Sequence, residues 1–266
     1  MSFEKQQPKL PLDLVGVIPA AGIARRLGHL PCSKEMLTVG FHKDSNGKSS
    51  HPKPVSSYLL ERMQVAGVKK VYLILRKGKW DIPDYFGDGK ILNMHIAYLL
   101  MDLPFGVPFT VDQAYPFLKD STVVFGFPDI LFEPEDAFEQ LLSKQMDSKA
   151  EVVLGLFPAQ EPHKADMVEL DASGRIQRIE IKPTSTGLRY AWIMAVWNFR
   201  FTEFIHRHLG VYSGERPPDR ELFMGDVFQA ALDNDLQIGS VVFHDSRFLD
   251  IGTSEDLNKA VSRTEF

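Results

Sequence analysis

Between Val17 and Leu37 the chain reads VIPAAGIARRLGHLPCSKEML, a run whose residue types suit the gripping of phosphate. The small side chains of Ala20, Ala21 and Gly22 let backbone N–H groups approach an anion closely, and Arg26 and Lys34 supply fixed countercharge. Neither common phosphate-loop spacing is present. Ile23 and Ala24 break the GxGxxG of dinucleotide sites, and no GK[ST] follows. A second carboxylate-bearing region stands out at Asp129, which closes the apolar run VVFGF, since parallel sheets place ligands at the carboxyl ends of strands. The eight histidines include no HExxH pair. His206 and His208 lie two apart on an expected helix, point to different faces, and read as surface residues.

Such a loop needs a rigid strand before it. Leu14–Pro19 (LVGVIP) is short, apolar and rich in β-branched residues, as a buried strand is. Further strands are expected at Val71–Leu75, His95–Leu99, Thr122–Phe127 and Glu151–Phe157. Pro54–Ala66 reads as an amphipathic helix stopped by Gly67, and Pro134–Met146 as a helix with proline and acids in its first turn. Short buried strands alternating with helices predict a Rossmann-like α/β fold, with a mostly parallel sheet covered on both faces. After residue 160 the rhythm changes. Met167–Leu170 and Arg175–Ile181 flank the hairpin turn Asp171–Gly174, followed by a strand at Tyr190–Trp197, helices near Thr202–Leu209 and Glu221–Asn234, and a strand at Gln237–Phe243. Thr253 could cap a last helix, with Asp256 three residues on. The polar stretch Phe41–Lys53 reads as a mobile loop. One domain over residues 1–266 is expected, with a core at about 14–260 and residues 1–13 as an extension.

Charge and composition exclude several classes. A net charge of −5, with lysine and arginine dispersed, argues against a nucleic-acid partner. No apolar run approaches the ~20 residues of a membrane helix. The first residues lack a signal-peptide layout, and the single cysteine, Cys32, cannot form an intrachain disulfide, so a cytoplasmic protein is expected. Assembly into a homo-oligomer is left open.

The loop resembles the signature of sugar-1-phosphate nucleotidyltransferases, a glycine-bearing turn with an arginine followed by P-K-x-(M/L)-L; SKEML at Ser33–Leu37 is the local version. IPAAG at Ile18–Gly22 also resembles the cytidylyltransferases of isoprenoid synthesis. Three more segments match the sugar enzymes in order: Pro52–Leu75, VVFGFPDILFE at Val123–Glu133, and FLDIGTSEDLNKA at Phe248–Ala260. The resemblance covers about residues 14–260. It implies a nucleotidyltransferase fold and the transfer of an NMP group from a nucleoside triphosphate to a phosphorylated small molecule, foremost a sugar-1-phosphate. Alternatives are a cytidylyltransferase acting on another phosphorylated alcohol or a phosphonate, and a non-catalytic homologue that binds nucleotide.

By resemblance, Arg26 and Lys34 grip phosphates, Asp129 and Asp250 bind Mg²⁺, and Lys182, in Glu180-Ile181-Lys182-Pro183, meets the acceptor phosphate. Pro104 and Gly106 match the base-binding segment. The departures are specific. Ala24 replaces the second loop glycine, a strained choice if φ is positive there. Met101 stands where a base-reading glutamine is usual. Asp166 stands for a glycine whose amide lies against the sugar, and Ile181 for a hydroxyl-binding glutamate. Met101 in place of the amide and Ile181 in place of the carboxylate together predict weak turnover of glucose-1-phosphate with dTTP or UTP and a less hydroxylated acceptor.

Overall fold

The computed structural model describes residues 13–43, 47–102, 105–212 and 220–262. In chain order, β1 spans Leu14–Pro19, β2 Thr38–Lys43, β3 Ser49–Pro54, α1 Val55–Val65, β4 Lys70–Arg76, α2 Asp81–Phe86 and β5 His95–Met101. Then come α3 at Val107–Asp112, β6 at Thr122–Gly126, β7 at Ile130–Phe132, α4 at Ala137–Ser148, β8 at Val152–Pro158, β9 at Met167–Leu170 and β10 at Ile176–Glu180. The chain finishes with β11 at Tyr190–Trp197, α5 at Phe199–Gly210, α6 at Met224–Asp233, β12 at Ile238–Val242, β13 at Phe248–Asp250 and α7 at Ser254–Ser262.

Nine strands form the central sheet, in the order β10-β9-β11-β6-β1-β4-β5, with β8 also on β11 and β12 on β8. The stretch β6-β1-β4-β5 is parallel throughout, as is β8-β12. Strand β11 runs against β6, β8 and β9, so the sheet is mixed on one side. Both faces are buried. On β1, Leu14 and Ile18 enter one apolar cluster with Leu60 and Met63 of α1 and Phe138 and Leu141 of α4. Val15 and Val17 enter the opposite one with Val111 of α3, Phe201 of α5 and Phe228 of α6. That is why LVGVIP shows no polar alternation. Each such side chain contributes roughly 1.5–3 kcal/mol on burial.

One expectation is corrected. Phe41–Lys53 is not an open loop: β2 and β3 pair antiparallel, from Thr38↔Pro54 to Lys43↔Ser49. The polar composition concealed the ribbon because only a thin side of it meets a core, through Val39 against Val55 and Tyr58. Stacked His42 and His51 rings and Lys53, over the Tyr58 ring and paired with Glu61, do the rest. The hairpin at 171–174 forms as expected, β10 pairing antiparallel with β9. Thr253 caps α7, accepting from the Asp256 N–H at 3.2 Å. His206 is engaged at the surface, stacked on Tyr115 and bonded to Asp112. Among the described residues no helix is long and apolar enough to cross a membrane.

Candidate active site

Strands β1 and β6 lie side by side and parallel, and their outgoing connections leave to opposite sides, which opens a crevice at their carboxyl ends. Strand β11 widens it. It pairs with β6 at Met194–Trp197 and with β9 only at Tyr190 and Ala191, so the sheet parts at Trp192 and Ile193. The cleft so formed holds about 320 Å³, and its walls include Ala21, Gly22, Arg26, Lys34, Gly106, Asp129, Asp166, Lys182 and Asp250.

The loop after β1 is tied down on both sides of its lysine. Ser33 donates to the Asp81 carboxylate from its N–H at 2.6 Å and its hydroxyl at 2.7 Å. Glu35 is fully buried and takes two bonds from the Lys79 ammonium, at 2.6 and 2.7 Å, while its carbonyl accepts from Ser56 Oγ. Lys34 is thereby held between two fixed neighbours. Ala20 departs from expectation: its N–H donates to the Ile74 carbonyl at 2.8 Å, extending the β1–β4 ladder, so it is core rather than phosphate cradle. Ala24 has φ 58 and ψ 35, the left-handed conformation that disfavours a Cβ. Ala24→Gly is expected to raise stability by about 1 kcal/mol in denaturant unfolding. A loss of stability would mean that residue 24 does not hold this conformation.

The charged centre comes from pairing of two short strands. β13 runs against β7 with Asp250 opposite Ile130, and the Ile251 N–H donates to the Asp129 carbonyl at 2.9 Å. Two carboxylates far apart in sequence thus meet at one wall. Lys34 Nζ pairs with Asp129. Burial pulls the lysine's pKa down, but Asp129 and Glu35 outweigh it and hold the amine above its usual range. Burial, then repulsion by Asp129, pushes the Asp250 carboxyl up to about 6 despite Lys34 and Arg26. Arg26 lies over Gly252, where a methyl group would fall 2.9 Å from its Nη2.

Lys182 forms the far rim. It has φ 40, and its Nζ sits 3.8 Å from the centre of the Phe223 ring. Burial pushes this amine down, against Asp166 and Glu221. Two glycines let the backbone close in. Gly106 has φ 138 and bridges to Leu222, whose carbonyl oxygen fills the place of a Cβ. At Gly225, in the first turn of α6, a methyl would fall 2.6 Å from Asp166 Oδ2. Asp166 is itself 8% exposed, and burial pushes its carboxyl up to about 6, opposed by Lys182. A folded pKa above the unfolded value means that the charged form is penalised in the fold. Asp166→Asn is therefore expected to stabilise the protein at pH 7 by about 1–3 kcal/mol, the gain shrinking as pH falls from about 6 toward 4. Unfolding curves at the two pH values check it. A destabilised variant at pH 7 contradicts it.

Four expected site residues are not brought to the cleft. Met101 ends β5 and packs half-buried on the lower apolar cluster. Glu180 accepts from Thr186 at 2.8 Å and pairs with Arg178 at 2.7 Å. Ile181 packs toward Gly225 and the same cluster as Met101. With Ala20, these are supports rather than walls. Pro104 lies outside the described residues. The absence of a glutamate at 181 therefore does not leave the cleft apolar beside Lys182, because Asp166 supplies a carboxylate there. Sequence reasoning missed the Glu35–Lys79 pair, Trp192 and Phe223. Glu35 lay inside the SKEML motif and could have been found; Trp192, inside the apolar run YAWIMAVW, carried no signal beyond core.

A family model described as nucleotidyl transferase matches residues 17–265. The chain is 27% identical over 213 residues to a glucose-1-phosphate thymidylyltransferase of Streptomyces antibioticus, covering 80% of this chain and 57% of that one. It is 24% identical over 210 residues to the low-salt glycan biosynthesis nucleotidyltransferase Agl11 of Haloferax volcanii, covering 78% and 56%. The chain thus spans little more than half the length of these relatives. Its fold matches a crystal structure from Bacillus anthracis, described as a glucose-1-phosphate thymidylyltransferase in complex with sucrose. The TM-score is 0.79 at 17% identity, over 94% of this chain and 95% of that one.

Proposed function

Since the chain belongs to the nucleotidyl transferase family, we propose that it transfers an NMP group from a nucleoside triphosphate to a phosphorylated small molecule, a sugar-1-phosphate foremost. A phosphate oxygen of the acceptor attacks the α-phosphorus, the bond to the β-phosphate oxygen breaks, and pyrophosphate leaves. One observation supports this above all. Arg26, Lys34, Asp129, Lys182 and Asp250, drawn from four separate segments, line a single cleft.

Phosphoryl transfer needs positioning and neutralisation of charge more than covalent help. Lys34, tethered on both sides, exchanges Asp129 for triphosphate oxygens as substrate enters. Arg26, over Gly252, closes on the same phosphates. Lys182 leaves the Phe223 ring for the acceptor phosphate and holds its oxygen toward the α-phosphorus. Asp129 and Asp250 fit a divalent cation, because two hard carboxylates side by side suit one, and burial together with repulsion by Asp129 already raises the Asp250 carboxyl. Among the described residues no three acidic, histidine or cysteine side chains converge as a cage, so such a site would share its ion with the triphosphate. Mg²⁺ bound there would supply neutralisation of the phosphate charge.

Pyrophosphate release across the four common triphosphates and a panel of phosphorylated sugars and alcohols tests the proposal. Release that requires both a triphosphate and an acceptor is expected. Silence across the panel contradicts it.

A further inference from the structure

The acceptor end of the cleft carries a buried acid that its neighbours compensate only in part. Asp166 and Trp192 both line it, 8% and 4% exposed, and among the described residues Asp166 Oδ1 has no hydrogen bond of good geometry: the Lys182 charge, the Trp192 indole N–H and the Gly225 N–H ease the carboxylate without offsetting its burial. A buried ionised carboxylate left unpaired is costly, and native structures rarely keep one without a use. The nearby cations are committed elsewhere. Lys182 rests on the Phe223 ring, and it eases the Asp166 charge without a direct ion pair between the two among the described residues. Lys164 is held by Glu161 at 2.9 Å and Asp256 at 3.3 Å, and Arg220 by Asp226 at 2.6 Å. If Lys182 turns to the acceptor phosphate, Asp166 loses that favourable charge, and Glu221 on the same wall adds a second negative one.

We propose that this pocket selects an acceptor that carries an amino group besides its phosphate, the ammonium pairing with the Asp166 carboxylate. The proposal rests on the transfer reading for the placement of the phosphate. A hydroxyl would give Oδ1 one bond and leave its charge uncompensated, whereas an ammonium brings three donors and the missing charge. The rings of Phe127, Trp192 and Phe223 line the remaining wall and suit the carbon frame and flank of such a cation. Asp166 is thus a specificity residue, and its cost to the fold is offset only when the right acceptor is bound.

The test is binding of two matched pairs at about pH 7 by calorimetry: glucosamine-1-phosphate against glucose-1-phosphate, and 2-aminoethyl phosphate against ethyl phosphate. Wild-type protein is expected to bind the amino member of at least one pair about tenfold or more tightly, and Asp166→Asn to abolish that preference. Equal binding within both pairs, binding of none of the four, or a preference that survives Asp166→Asn would overturn the proposal. The wild-type comparison stands without any variant. Turnover separates the two claims. Pyrophosphate release from neutral acceptors without an amino preference in binding leaves nucleotidyl transfer intact and removes this inference. An amino preference in binding with no release from any acceptor does the reverse.

Discussion

Lys34→Ala lowers turnover by about 10²–10³-fold, and Arg26→Ala does the same, each measured at saturating triphosphate. The expectation follows from placement. Ser33 is fixed to Asp81 and Glu35 to Lys79, so the backbone at Lys34 has little freedom and its ammonium is aimed before substrate arrives. A preorganised cation costs no reorganisation when charge redistributes in the transition state, so deleting it appears in kcat as well as in KM. In the free protein the deletion leaves Asp129 without its partner, which makes a modest loss of stability the second expected reading. Near-normal turnover in both variants would show that the loop after β1 does not serve the chemistry.

Asp250→Asn is expected to cost turnover on the same order, about 10²-fold or more, without unfolding the protein. The carboxyl of Asp250 is raised by burial and by Asp129, so its neutralisation relieves the free protein at pH 7. Unfolding should show the variant as stable as the wild type or more so. Its Mg²⁺ dependence should shift to concentrations about 10–100-fold higher if catalysis uses the ion at this pair. Asp129→Asn should lose activity similarly but gain less stability, since Asp129 already has Lys34. An inactive variant that is also unstable would point to a structural role for the pair. An active one would remove it from the mechanism.

The inner strands of the sheet were legible because they are buried on both faces, and buried strands write themselves as short apolar runs: LVGVIP and YAWIMAVW carry the boundaries of β1 and β11. Direction is not written the same way. An antiparallel β11 and a parallel one bury the same residues, so the mixed pairing emerged only from the hydrogen bonds. The β2–β3 ribbon escaped because a two-stranded element with a small buried side looks polar. At the site, Arg26, Lys34, Asp129, Lys182 and Asp250 were found through motif resemblance, and they share one cleft. Position in a motif did not guarantee orientation. Ala20 spends its N–H on Ile74, and Ile181 and Met101 turn into the apolar cluster beneath α6. Asp166 was located by the same resemblance, but that its carboxyl would be so closely buried depends on Gly225, 59 residues away in sequence and in contact only through the fold.

The most direct measurement follows the α-phosphate itself. The wild-type protein, supplied with Mg²⁺, a phosphorylated acceptor and α-³²P-labelled triphosphates, should move label into a new nucleoside diphosphate ester in step with pyrophosphate release. The same mixture should do neither with Asp250→Asn, nor when acceptor is omitted. Label that stays in the triphosphate with every acceptor, or pyrophosphate that appears without one, would contradict nucleotidyl transfer at this cleft.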